Sequence, residues 1–395
     1  KGFPQLQEHY AMLGVPDRVT AKVMTQFGHN YNFVSREVMY HFFNKHLALG
    51  LDEPVIEEDY KPLTTAELTV WDSDHPRPAS GGDYERSLLR TMTEASDQQL
   101  AQLEPKDAAS LAGFREIVGG AFDVIVGRSL PAADSVQLKS VGEESKGDYT
   151  QSKAVLRNVP HEEEIPLVIL HPKKWNKRVV IVLDEAGKSA LFDAEGKPQA
   201  LATSLLAAGS AVIAPDLLYQ GEFLADDKPL EQSPKVENPR EFAGYTLGYN
   251  PALFAQRVHD VLTLIAFGKA YRGENPSVDL LGQGPAAAWA AAARAQAGTA
   301  ISRLAIDTRG FRFAKLGSTR DVNLLPASVK YGDLPALLAL GAPGELWLAG
   351  EAEAALPLAR ATYKAAGAQN NLATEASPAN QQHAVKWLAR PGNER

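Results

Sequence analysis

Val278-Asp-Leu-Leu-Gly-Gln-Gly-Pro-Ala-Ala-Ala-Trp289 passes from a short apolar run, through a Gly-x-Gly corner, into an alanine-rich stretch opened by a proline. The run from Val278 to Leu281 reads as a buried strand, and residues 285–297 read as a helix. Pro285 suits the first helical turn, where a missing N–H costs nothing. The same alternation surrounds this corner. Before it, residues 151–158, 165–171, 178–183 and 211–215 read as strands, and 197–208 and 252–270 as helices. After it, strands are expected at 303–306, 345–349 and 371–375, with helices at 352–366 and 380–388. Strands alternating with helices predict an α/β fold with a doubly wound, mostly parallel sheet covered on both faces. Two leading strands with no helix between them suit an antiparallel pair at its edge.

Composition narrows the function. The 395 residues hold 40 Lys and Arg against 48 Asp and Glu, a net charge of −8, and are 45% hydrophobic. A sizeable core is expected. Nonspecific nucleic-acid binding, which relies on clustered cations, is disfavoured. No apolar run approaches the roughly 18 residues of a membrane span. The chain has no cysteine, which excludes disulfides, thiolate metal sites and cysteine nucleophiles. No metal-ligand cluster is visible: the histidines are scattered, and Asp72, Asp74 and His75 read as turn residues. No signal peptide is seen, and Lys1 in place of a starting Met implies a processed precursor or a fragment.

The N-terminal part has a different texture. Residues 19–27 alternate loosely and read as a strand. Residues 33–49 carry apolar Val34, Val38, Phe42 and Leu47, widened by Met39 and Phe43, and read as a helix burying one face, with Asn30 or Asn32 available as a cap. Residues 51–84 contain Pro54, Pro62, Pro76 and Pro78 and read as an extended connector. Residues 85–103 and 105–118 are helical in composition.

His29 stands between the expected strand and helix, where an α/β-hydrolase presents the imidazole that relays the nucleophile's proton. Along such a chain the order is Ser, then Asp or Glu, then His. Only Glu8 and Asp17 precede His29 as acids, and no serine does. The site is therefore incomplete within these residues. The alternative is a histidine that caps the helix or fills a polar pocket.

Gly2-Phe-Pro, Tyr10-Ala-Met-Leu-Gly, Phe27-Gly-His-Asn-Tyr-Asn, Ser35-Arg-Glu-Val-Met-Tyr and Phe43-Asn-Lys-His-Leu resemble the C-terminal end of bacterial acetyl-xylan-esterase-like α/β-hydrolases, relatives of the prolyl-oligopeptidase-like hydrolases. The resemblance covers roughly the first 50 residues. It implies that His29 is a triad histidine and that Ser and Asp come from an upstream α/β-hydrolase segment. It also implies ester hydrolysis, an acylated sugar or polysaccharide substrate, no cofactor, and a secreted or periplasmic location.

The expected layout is the end of an upstream hydrolase over residues 1–50, with its terminal strand and helix, then a linker over 51–85. A helical preface over 86–137 and a degenerate α/β-hydrolase-like domain over 138–390 follow. That domain should contain G-x-S-x-G where a strand turns into a helix. At the corner, Gly282, Gln283 and Gly284 align with this elbow, and Gly284 takes the nucleophile position without an oxygen. A positive φ is expected there. Residues 179–188 resemble the oxyanion-hole loop and residues 212–222 the next strand and its Asp. Glu351 falls at the acid position. At the histidine position, residues 375–380 offer none, and His383 falls inside the last helix.

Two other readings stay open. The second domain can be a non-catalytic binding or assembly module. Gly282-Gln-Gly-Pro-Ala-Ala287, with Asp307 about 20 residues on, also fits a dinucleotide fingerprint, although that fingerprint normally marks the first βα turn of its domain. Residues 219–251, with Phe223, Phe242, Tyr245 and Tyr249, read either as a lid or sugar-stacking surface or as an insertion packing its own aromatics.

Overall fold

The computed structural model describes residues 2–226, 228–236, 243–376 and 381–390. They fall into two units, Lys1–Gly81 and Gly82–Arg395.

The first unit holds helices α1 (Gly2–Met12), α2 (Phe33–Leu47) and α3 (Thr65–Leu68). Asn32 caps α2, accepting from Ser35 N at 3.1 Å. The strand expected at residues 19–27 is not formed: residues 19–24 are unassigned backbone with no ladder partner, and 25–27 turn. A strand needs a neighbour to take its N–H and C=O groups, and this unit supplies none. The connector carries one helical turn that its proline content hid. Thr64 and Glu67 form a capping box around it, Thr64 N donating to Glu67 Oε2 at 2.7 Å. Asp72 is a turn residue as expected, accepting from His75 N at 2.7 Å. No apolar side chain among residues 2–81 is buried, and Asn44 is the one buried residue.

The second unit opens with α4 (Gly82–Ala101), α5 (Ala108–Phe114) and α6 (Gly120–Val126). Strands β1 (Val136–Ser145), β2 (Tyr149–Asn158), β3 (Glu163–Pro172) and β4 (Arg178–Leu183) follow, then α7 (Ala200–Ala207), β5 (Ala211–Pro215), α8 (Ala243–Leu247) and α9 (Leu253–Ala270). The chain closes through β6 (Ser277–Gln283), α10 (Pro285–Ala297), β7 (Arg303–Asp307), α11 (Asp333–Leu340), β8 (Glu345–Ala349), α12 (Pro357–Ala365), β9 (Leu372–Glu375) and α13 (Gln381–Ala389).

The nine strands form one sheet in the order β1-β2-β3-β5-β4-β6-β7-β8-β9. From β5 through β9 every pairing is parallel, and β1, β2 and β3 form an antiparallel extension joined antiparallel to β5. The extension has three strands where two were expected, and β1 begins inside the stretch read as the end of the helical preface. β4 shows why the sheet forms. Val179, Ile181 and Leu183 pack into one core and Val180 and Val182 into the other, the period-two division of a strand covered on both faces. Helices α5, α6, α9, α10, α11 and α12 cover the first face, and α7 and α13 the second. Phe114, Phe122 and Val126 lie in the first core, so α5 and α6 belong to the body of this unit.

Register positions the site. Leu183 pairs with Gly282, Gln283 with Asp307, and Asp307 with Ala349. The loops after β4, β6, β7 and β8 therefore leave one edge of the sheet side by side, where open α/β sheets bind ligands.

Candidate functional site

At the centre of that edge, Gly284 joins β6 to α10 with φ +58° and ψ −130°. This is the positive φ expected for the corner, in a region that L side chains rarely adopt. Its N–H donates to Asp307 O at 2.8 Å, and its carbonyl accepts from Ala287 N at 3.1 Å. Gly282 is required for a different reason. A Cβ there would stand 2.8 Å from Ala286 O, because α10 folds back closely over the end of β6.

The groups facing the corner are charged. The position a Cβ at 284 would occupy lies 3.6 Å from Glu185 Oε2 and 3.8 Å from Arg309 Cδ. Glu185 comes from the loop after β4, and its pKa is raised by partial desolvation and by neighbouring Asp184. Arg309, in the loop after β7, donates through Nη2 to Gln283 Oε1 at 2.9 Å. Arg257 lies with its guanidinium 4.8 Å from the Trp289 ring centroid, and desolvation lowers its pKa to about 10.

The loops after β4 and β5 are tied together. Gln220, 3% exposed, donates from Nε2 to the carbonyls of Asp184 and Glu185 at 2.9 Å each and accepts from Leu217 N at 3.0 Å. Asp216 accepts from Lys188 N at 2.9 Å and Glu222 N at 3.0 Å, and pairs with the Lys188 ammonium. Gly187 and Gly221 approach it so closely that a Cβ at either would overlap the carboxylate.

Glu351 follows Gly350 at the end of β8 and is 3% exposed at its side chain. Thr308 Oγ1 donates to Oε1 at 2.5 Å, Arg312 Nη1 donates to the same oxygen at 2.9 Å, and Arg312 Nη2 pairs with Oε2. That fork occupies both oxygens. The pKa of Arg312 is raised, first by its hydrogen bond to Glu351.

The histidines lie elsewhere. His383 is on α13, exposed, with Nδ1 2.8 Å from Glu375 Oε1. Residues 377–380, part of the expected histidine position, lie outside the described residues, as does Phe242. His29 belongs to the first unit, exposed in the turn before α2, and makes no hydrogen bond or ion pair among the described residues. The structure therefore brings Gly282, Gln283, Gly284 and Glu351 to one sheet edge, while His29 belongs to the other unit. Glu185, Arg309 and Gln220 escaped sequence reasoning. They converge from three loops and share no local motif. The dinucleotide reading gains nothing from the topology: β6 is the sixth strand along the chain, preceded by an antiparallel extension, and lies between β4 and β7. Among the described residues no group of His, Asp and Glu is arranged to hold a metal ion, and no helix is long and apolar enough to cross a membrane.

Comparison with solved structures identifies the architecture. A protein described as an acetyl xylan esterase from Bacteroides fragilis superposes at a TM-score of 0.50 and 15% identity, over 78% of this chain and 84% of that one. The chain has the α/β-hydrolase fold. A CE15 glucuronoyl esterase from Teredinibacter turnerae aligns at a TM-score of 0.45 and 14% identity, over 71% of this chain and 83% of that one. No family model and no curated protein matches the sequence. Within this fold, Gly284 stands where β6 turns into α10.

Proposed function

We propose that the second unit is a catalytically silent hydrolase-fold module, and that the first unit supplies His29 to an ester-hydrolase site. The observation that carries the first part is the corner itself. Gly284 keeps the strained turn but has no oxygen, and the Glu185 carboxylate faces the place where one would stand. Acyl transfer needs a nucleophile and hydrogen-bond donors aimed at a developing oxyanion; a carboxylate there opposes that charge. Both oxygens of Glu351 are already engaged, by Arg312 and Thr308.

For the first unit, the support is the resemblance around His29, its exposed position before α2, and the absence of a buried apolar side chain among residues 2–81. In this reading Ser and Asp come from an upstream α/β-hydrolase segment, and His29 serves as general base and then acid. The substrate is an acylated sugar or polysaccharide, in keeping with the name of the neighbour described as an acetyl xylan esterase, and the site of action is secreted or periplasmic.

The test pairs two preparations. The chain alone hydrolyses p-nitrophenyl acetate no faster than its His29→Ala variant and takes no fluorophosphonate label. Joined to the segment carrying Ser and Asp, it loses about 10²–10⁴-fold in kcat on the same substitution. Labelling of the second unit, or an unaffected His29→Ala enzyme, overturns the proposal.

A further inference from the structure

Beside the loop that follows β5 lies a cavity of about 660 Å³, within the size range of sites that enclose small organic ligands. Among the described residues its walls come from residues 218–219, 233–236, 246–256 and 319–324. Leu218, Leu247, Leu253 and Leu324 contribute apolar surface to its lining. The wall at Leu218 is held in place from behind, since Leu218 N donates to Asp260 Oδ2 at 2.9 Å and Leu218 O accepts from Arg257 Nε at 3.1 Å.

Among the described residues the charged lining is Arg320 and Lys235 against one carboxylate, Asp321. Arg320 uses Nε and Nη2 on Ser233 O, at 3.4 and 3.1 Å, and Nη1 makes no hydrogen bond among the described residues. Lys235 forms no ion pair among them. Asp321 Oδ1 is engaged by Asn323 N at 2.8 Å. Ala252 and Leu253, also in the wall, begin an 18-residue helix whose N-cap offers no side-chain hydrogen bond and whose first turn holds no acid. Its leading N–H groups and dipole favour a negative charge.

We propose that this cavity binds an amphipathic organic monocarboxylate, its carboxylate facing Arg320, Lys235 and the start of α9, and its apolar body lying against the four leucines. Binding of this kind requires no hydrolysis, so it stands or falls separately from the role of His29.

Calorimetric titration of the full chain with octanoate, octanamide and acetate tests it. Octanoate binds saturably, octanamide about 10-fold more weakly for want of charge, and acetate about 10-fold more weakly for want of an apolar body. Lys235→Glu, at an exposed residue with no ion pair among the described residues, weakens octanoate several-fold and leaves thermal unfolding unchanged. Arg320→Gln weakens it further. No heat with octanoate at about 10 mM, equal affinity for octanamide or acetate, or affinity unmoved by both substitutions overturns the proposal.

Discussion

Replacing Gly284 by alanine measures the conformational cost that glycine avoids at the corner. An added Cβ meets only Glu185 Oε2 at 3.6 Å and Arg309 Cδ at 3.8 Å, both ordinary van der Waals contacts. Steric overlap therefore contributes little, and the cost is conformational. Holding a non-glycine residue at φ +58°, ψ −130° costs about 1–3 kcal/mol. Alanine also stiffens the unfolded chain, which returns about 0.4–1 kcal/mol. The net loss is about 0–2.6 kcal/mol. Gly282→Ala is the internal comparison. Its Cβ would stand 2.8 Å from Ala286 O and 3.0 Å from the Ala286 carbonyl carbon, so backbone must move and the loss should exceed that of Gly284→Ala. Urea unfolding followed by circular dichroism, with m compared between variants, reads both values. A Gly284→Ala protein more stable than the parent by about 0.4–1 kcal/mol refutes this account, because a site that accepts alanine without cost would show only the unfolded-state gain.

Two further outcomes are expected. Arg312→Met leaves the Glu351 carboxylate buried with only Thr308, and should cost about 3–5 kcal/mol in urea unfolding; the double variant Arg312→Met, Glu351→Met should recover much of that loss. Burial raises the pKa of Asp260 from 3.8 to about 7, with Glu163 adding to the rise and the Leu218 N–H, Arg128 and Arg257 opposing it. Between those values the native state holds a proton that the unfolded chain releases, so stability falls as pH climbs from about 4 to about 7 and then levels. Asp260→Asn keeps an acceptor for Leu218 N but removes this slope. The gap in urea midpoint between variant and parent should therefore shift in the variant's favour across that window, and a constant gap refutes the raised pKa.

The parallel part of the sheet was legible because strands buried on both faces are continuous apolar runs, as in Arg178–Leu183 and Ala211–Pro215. The corner was legible because a Gly-x-Gly-Pro between strand and helix permits few backbone paths. β1 was not. Lys139, Ser140, Glu143 and Glu144 are exposed, and what makes the segment a strand is its ladder with β2, a property of another segment. The expected strand at 19–27 failed for the complementary reason: its pattern suits a strand, but no neighbour is there to pair with it. Glu185 beside Gly284 follows from the register of β4 on β6, which no local window contains.

Helix α10 has a consequence for how this protein tolerates change. Ala286 through Ala293, Trp289 included, are fully buried, and the helix touches α6, α9, α11, β4, β6 and β7. It has no silent face over those two turns. Almost any codon change there enlarges a side chain against a neighbour or inserts a polar group into the core, so variants tolerated at these positions should be far fewer than along the exposed surface of α4.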